Sequence, residues 1–209
     1  MRRFLRWTTA VLCLAGFSGA ALAAESTPTP TQLPRTVRPT SYDIKLEPNA
    51  RALTFRGNIA IGIEVLSAVD SITLNAIDMQ FAKVRLTDSK GNSVAAEPKI
   101  ATNESEQTAT FAFGRSIPAG QYSLAIDYTG KIGVQATGLF AIDYDTASGK
   151  KRALYTQFEA SDARRMIPSW DEPAYKATFT LEATVPHEQM AVSNMPVAER
   201  TDESSANFA

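Results

Sequence analysis

The feature that most constrains this chain is a strict alternation of apolar residues. From Leu53 the sequence runs LTFRGNIAIGIEV, and Phe55, Ile59, Ile61, Ile63 and Val65 share one parity. A period of two sustained over a dozen residues marks a strand that buries one face. The same alternation appears at Tyr42-Ile44-Leu46, Ile72-Leu74, Thr108 to Phe113, Tyr122-Leu124-Ile126-Tyr128 and Phe179-Leu181-Ala183-Val185. Turn-forming residues break these runs at Asp88-Ser89-Lys90-Gly91-Asn92, at Pro118-Ala119-Gly120 and from Thr146 to Lys150. No window carries a helical period, and no internal repeat is visible. Short strands separated by such turns predict an all-β fold, a sandwich or curved open sheets. Gly57 and Gly62, inside the longest run, predict a bulge or a close approach of another backbone.

The first residues stand outside that pattern. Arg2, Arg3 and Arg6 form a basic start, Thr8 to Ala23 is apolar and uncharged, and Ala21-Leu22-Ala23 fits a small-x-small cleavage site. This is the three-part pattern of a secretory signal peptide over residues 1–23. The apolar run is shorter than the roughly 20 residues of a membrane span. A cleaved signal leaves no stable membrane insertion and predicts a periplasmic or secreted product. The cut removes the single cysteine, Cys13, so no disulfide is available to the exported part. It also removes three arginines and no acid, which shifts the formal charge from −1 to about −4. A chain with that balance lacks the basic stripe of a nucleic-acid binder. Residues 24–40, with Pro28, Pro30, Pro34 and Pro39, read as an extended leader on or near the surface. Residues 41–200 are then the β domain. Residues 201–209 read as a polar tail, truncated rather than capped.

The segment from Arg152 to Tyr175, RALYTQFEASDARRMIPSWDEPAY, differs from everything around it. It is dense in charge, aromatics and proline. Arg152 to Phe158 can form a strand, with Gln157 and Glu159 projecting to one side, and Ala160 to Asp162 must turn. Arg164 and Arg165 face Asp171 and Glu172 across a loop containing Pro168, with Trp170 between them. Such Arg–carboxylate pairs suit the clamping of an irregular loop. Gln157 and Glu159 have two readings. They are a solvated rim, or they line a cleft where the carboxylate binds an ammonium group and the amide adds an acceptor.

The same segment resembles the N-terminal domain signature of the aminopeptidase N family, the zinc-dependent gluzincin aminopeptidases. The resemblance runs through Thr156-Gln157-Phe158-Glu159, Asp162-Ala163-Arg164-Arg165 and Pro168-Ser169-Trp170-Asp171-Glu172-Pro173. It continues through Lys176-Ala177-Thr178-Phe179 and Ser193-Asn194-Met195-Pro196. Weaker pieces lie upstream at Pro39-Thr40-Ser41-Tyr42, Phe55-Arg56-Gly57, Leu74-Asn75-Ala76, Tyr128-Thr129-Gly130 and Gly138-Leu139-Phe140. It implies a saddle-shaped all-β domain that packs on a separate catalytic domain holding zinc. It implies further that Glu159 binds the free α-amino group of a peptide substrate, with Gln157 lining the same subsite. Members of the family can carry a cis peptide bond directly after this glutamate, so Glu159–Ala160 is the bond to inspect.

The zinc chemistry itself has nothing to stand on in this chain. An H-E-x-x-H helix supplies two histidine ligands one turn apart, with the glutamate as general base. His187 is the only histidine, and His187-Glu188-Gln189-Met190-Ala191 has alanine where the second should be. His187 reads as a loop residue before a strand from Met190 to Ser193. The expectation is therefore a domain that binds no zinc and is inactive alone, zinc belonging to the full-length enzyme. The alternative is a free-standing secreted β-sandwich that binds a peptide or partner without catalysis.

Overall fold

In the computed structural model, residues 32–202 are described. The proposed signal peptide and residues 203–209 of the polar tail lie outside that range. Ten strands and one short 3-10 turn make up the described residues' regular structure. The strands are β1 (Val37–Asn49), β2 (Thr54–Val65), β3 (Val69–Asn75), β4 (Gln80–Asp88), β5 (Lys99–Asn103), β6 (Thr108–Ile117), β7 (Gly120–Lys131), β8 (Gly138–Thr146), β9 (Gly149–Gln157) and β10 (Thr178–Ala183). They form a five-stranded sheet in the order β10-β1-β2-β7-β4, a three-stranded sheet β3-β6-β5, and a two-stranded ribbon β8-β9. All three are open, which is the all-β architecture the alternation predicts. The β1–β10 pair is parallel and every other pair is antiparallel.

The alternating parity is the core. In β2, Phe55, Ile59, Ile61, Ile63 and Val65 are all buried, and they face Leu124, Ile126 and Tyr128 of β7. The two larger sheets merge their inner side chains into one cluster, where Phe81 of β4 meets Phe111 of β6 edge-on at 5.3 Å. Two glycines in this core face aromatic rings across the β2–β7 ladder. Gly57 pairs with Tyr128 and Gly130 with Phe55, and a Cβ on either glycine would lie 2.3 Å from the opposing ring. The aromatic thus fills the space the glycine leaves open. At Gly62 the close neighbours are the hydroxyls of Ser41 and Thr40. At Gly57 the approach is by a side chain rather than by a backbone, whereas Gly62 lies opposite the irregularity in β1 between Pro39 and Ser41, as the bulge reading expected.

Three features depart from the sequence reading. The leader does not stay outside: β1 begins at Val37, and Leu33 and Val37 are buried in the core. The register of β1 against β2 shifts between Pro39 and Ser41, as a proline without an N–H requires. No strand follows Ala183 among the described residues. Met190 to Ser193 is irregular, and Met190 and Val192 are exposed, with no sheet edge beside them to alternate against. Finally, β4, β5 and β8 formed where no strand was predicted. Only Val84 and Leu86 of β4 are buried, β5 is a marginal edge strand, and β8 opens on the continuous apolar run Leu139-Phe140-Ala141.

Candidate functional site

The site residues sit at the open end of the β8–β9 ribbon. One face of the ribbon is inward: Leu139, Ala141 and Leu154 join or pack on the core. On that face Arg152 forms a fork on Asp143, with Nε to Oδ1 at 2.6 Å and Nη2 to Oδ2 at 2.8 Å. Its Nη1 donates to the Ala50 carbonyl at 2.9 Å, which ties the ribbon to the turn after β1. The Arg152 hydrogen bond holds the Asp143 carboxyl below its ordinary range. The opposite face carries Ile142, Tyr144 and Tyr155, all exposed. Gln157, two residues beyond Tyr155, lies on this outer face and is exposed.

β9 ends at Gln157, so Glu159 lies past the strand rather than in it. Phe158 is half-buried against the core and anchors the exit. The chain then turns: the Asp162 N–H donates to the Phe158 carbonyl at 2.9 Å, and a 3-10 turn follows at Ala163–Arg165. The Glu159–Ala160 peptide bond is cis. Glu159 is exposed, and among the described residues its carboxylate has no hydrogen bond or ion pair. Gln157's amide is likewise uncommitted among them.

Below the turn the chain is clamped. Arg164 Nε donates to Asp171 Oδ2 at 2.9 Å, Nη2 to the Asp171 carbonyl at 3.1 Å, and Nη1 to Gln107 Oε1 at 3.1 Å. The Asp171 N–H donates in turn to Asn75 Oδ1 at 3.1 Å, and Asn75 and Ser169 exchange backbone hydrogen bonds at 2.8 and 3.1 Å. Tyr128 donates to the Met166 carbonyl at 3.0 Å, and the Trp170 N–H donates to the Tyr42 hydroxyl at 3.1 Å. Burial raises the pKa of both phenols. Trp170 is buried, as the sequence suggested for a clamped loop.

Half of the predicted clamp is different. Arg165 pairs with Asp162, Nε to Oδ1 at 2.8 Å, and not with Glu172. Glu172 instead reaches back to the leader. It pairs with Arg35 at 2.8 Å and accepts the Leu33 N–H at 2.7 Å, while the Arg35 guanidinium lies 5.0 Å from the centre of the Tyr175 ring. The sequence kept these partners apart, because 139 positions separate Leu33 from Glu172. Asn75 and Gln107 were also missed as anchors. Asn75 ends β3, inside the Leu74-Asn75-Ala76 piece, and Gln107 lies in the turn just before β6; the pattern of residues gave neither an anchoring role.

Among the described residues no set of side chains fits a zinc ion. His187 lies in an exposed turn after Pro186, and the described residues hold no group of three or more His, Cys, Asp or Glu suited to a metal.

Fold and site together define an all-β domain that presents one uncommitted carboxylate and one amide beside an exposed aromatic ribbon. Residues 38–208 match the Peptidase M1 N-terminal domain, and the chain belongs to that family. It is 41% identical over 176 residues to Aminopeptidase N of Acetobacter pasteurianus, covering 84% of this chain and 48% of that protein. It is 36% identical over 170 residues to Aminopeptidase M1 of Arabidopsis thaliana, covering 80% of this chain and 19% of the relative. Aminopeptidase M1-B of Oryza sativa subsp. japonica is 36% identical over 172 residues, with 81% and 19% covered. The chain thus spans about half of the first relative and about a fifth of the other two.

Proposed function

We propose that this chain is the substrate-recognising N-terminal domain of an exported zinc metallo-aminopeptidase. In this reading Glu159 accepts the free α-ammonium of a peptide, and Gln157 supplies a further acceptor in the same subsite. The observation that carries it is the Glu159 carboxylate, left exposed and uncompensated while the neighbouring acids Asp162, Asp171 and Glu172 are each bonded to an arginine. A carboxylate there measures one residue from a free N-terminus, because an internal peptide bond has no charge to offer. A hydrogen bond to a charged group is worth about 1.5–3 kcal/mol, or roughly a tenfold to hundredfold preference.

Catalysis and zinc belong, in this proposal, to a catalytic domain outside the chain. The exposed Ile142, Tyr144 and Tyr155, on the same outer face of the ribbon as Gln157, supply an apolar surface for that domain to cover. The same patch favours this reading over a free-standing peptide-binding sandwich. Residues 1–23 would direct the protein to the periplasm or the cell exterior.

The test compares two proteins. The longer polypeptide containing this chain should cleave aminoacyl reporters, lose that activity to a zinc chelator, and leave N-acetylated reporters intact. The purified 209-residue chain should neither bind zinc stoichiometrically nor cleave either reporter. Cleavage of N-acetylated reporters at a comparable rate, or zinc-dependent turnover by the 209-residue chain, contradicts the proposal.

A further inference from the structure

Two arginines follow Glu159 within six positions, and both are occupied by other acids. Arg164 is spent on Asp171 and Gln107, and its side chain is largely buried. Arg165 is the less committed of the two. Its side chain is about one-third exposed, and Asp162 Oδ1 alone accepts from its Nε. Asp162 is carried on the same turn as Glu159, closed by the bond from its N–H to the Phe158 carbonyl.

The stem of Arg165 is held at the root of the ribbon. Gly138 has φ +64°, and a Cβ there would lie 2.5 Å from Arg165 Cβ. Gly138 is the register partner of Gln157 across β8–β9. A side chain at position 138 would push the arginine away, so the glycine lets the Arg165 stem pack beside the register partner of Gln157. A guanidinium released from Asp162 then has one other exposed carboxylate on that turn to turn to, Glu159.

We infer that Asp162 is a positioning residue that works by occupying Arg165, which keeps the Glu159 carboxylate free for the substrate's ammonium. The inference rests on the reading of Glu159 given above and names what protects it. With Asp162 neutralised, a fraction of the free enzyme carries an Arg165–Glu159 pair and cannot take substrate. The apparent affinity falls by the fraction that remains competent. An exposed ion pair at the upper end of its usual strength shifts that equilibrium by about threefold to fivefold. The competition acts on the free enzyme only, so KM rises while kcat at saturation stays unchanged. Added salt screens the competing pair and narrows the difference.

The experiment measures kcat and KM with an aminoacyl reporter in the full-length peptidase carrying Asp162→Asn, Arg165→Gln, or both, with Glu159→Gln as reference. Asp162→Asn should raise KM about threefold to fivefold at low salt, with kcat within about twofold of wild type. Arg165→Gln should leave KM within about twofold, and the double variant should return to the wild-type KM. A role in bracing the turn predicts the opposite pattern: Arg165→Gln as harmful as Asp162→Asn, and a double variant no better than either. That pattern overturns the proposal and leaves the reading of Glu159 standing. Wild-type kinetics in Glu159→Gln would remove the reading itself, and the proposal with it. If Asp162→Asn fails to fold, Asp162→Ser gives the same comparison, and Arg165→Gln alone still carries one overturning result.

Discussion

Arg164→Ala tests whether the segment after Glu159 is held by one clasp. Arg164 and Asp171 have side chains 12% and 13% exposed, so the pair lies near the buried end of the range. Removing one partner of a fully buried pair costs about 3–5 kcal/mol, because the other charge is left without compensation. Here the cost is smaller. Asp171 Oδ2 keeps the backbone N–H of residue 164 at 3.3 Å, and both side chains retain some water. Loss of the bonds to the Asp171 carbonyl and to Gln107 adds to it. The expected loss is about 2–4 kcal/mol, or roughly 2–4 °C in Tm for each kcal/mol in a domain of this size. Urea denaturation followed by Trp170 fluorescence measures it; in protein lacking residues 1–23, Trp170 is the sole tryptophan. Arg164→Lys should recover less than half, since an ammonium cannot reach three acceptors in one plane. Arg38→Ala, which breaks an exposed pair with Glu64, should cost far less. A loss below about 1 kcal/mol in Arg164→Ala, or full recovery with lysine, would refute the clasp.

Two further outcomes follow from the core. Gly57→Ala puts a methyl group into the Tyr128 ring and should cost about 1–3 kcal/mol by overpacking; a urea midpoint equal to wild type would show that the ring moves freely aside. Tyr128→Phe loses the bond to the Met166 carbonyl, about 1 kcal/mol at neutral pH. Because burial raises the phenol's pKa, its contribution is fully present below the unfolded value of about 10 and is lost as pH rises beyond it, by up to about 1.4 kcal/mol per pH unit. The stability gap between wild type and Tyr128→Phe should therefore narrow above about pH 10; a gap constant across that range would contradict the assignment.

Legibility in the sequence tracked how local the cause was. β1, β2 and β7 were readable because a single buried face writes period two into the chain, and Phe55 to Val65 carry it without a break. β8 was not, because Leu139, Phe140 and Ala141 are all buried and the alternation disappears. β5 was not, because it is an exposed edge with almost nothing to bury. Gln157 and Glu159 were singled out through motif resemblance; the residues alone left both readings open, a solvated rim or the lining of a cleft. The Arg164–Asp171 clasp was visible because its members are seven residues apart. Arg35 and Glu172 meet only once the sheet is assembled, and no local pattern announces them. Arg165 and Asp162, three positions apart, could have been paired from spacing. The expectation that Arg165 faced Glu172 set that pair aside.

The proposed recognition of a free N-terminus by Glu159 is tested most directly by Glu159→Gln in the longer polypeptide that the proposal assigns to this chain. The amide keeps nearly the same shape and removes the charge, so the ammonium loses its charge-assisted partner. kcat/KM for substrates with a free N-terminus should fall at least about tenfold, from the lower end of the charged hydrogen-bond range. The loss should appear in KM, and also in kcat if the contact positions the scissile bond. The melting temperature should stay at the wild-type value, because the Glu159 side chain bonds to nothing else among the described residues. Unchanged kcat/KM at an unchanged melting temperature would make Glu159 a solvated rim residue and contradict the proposed recognition.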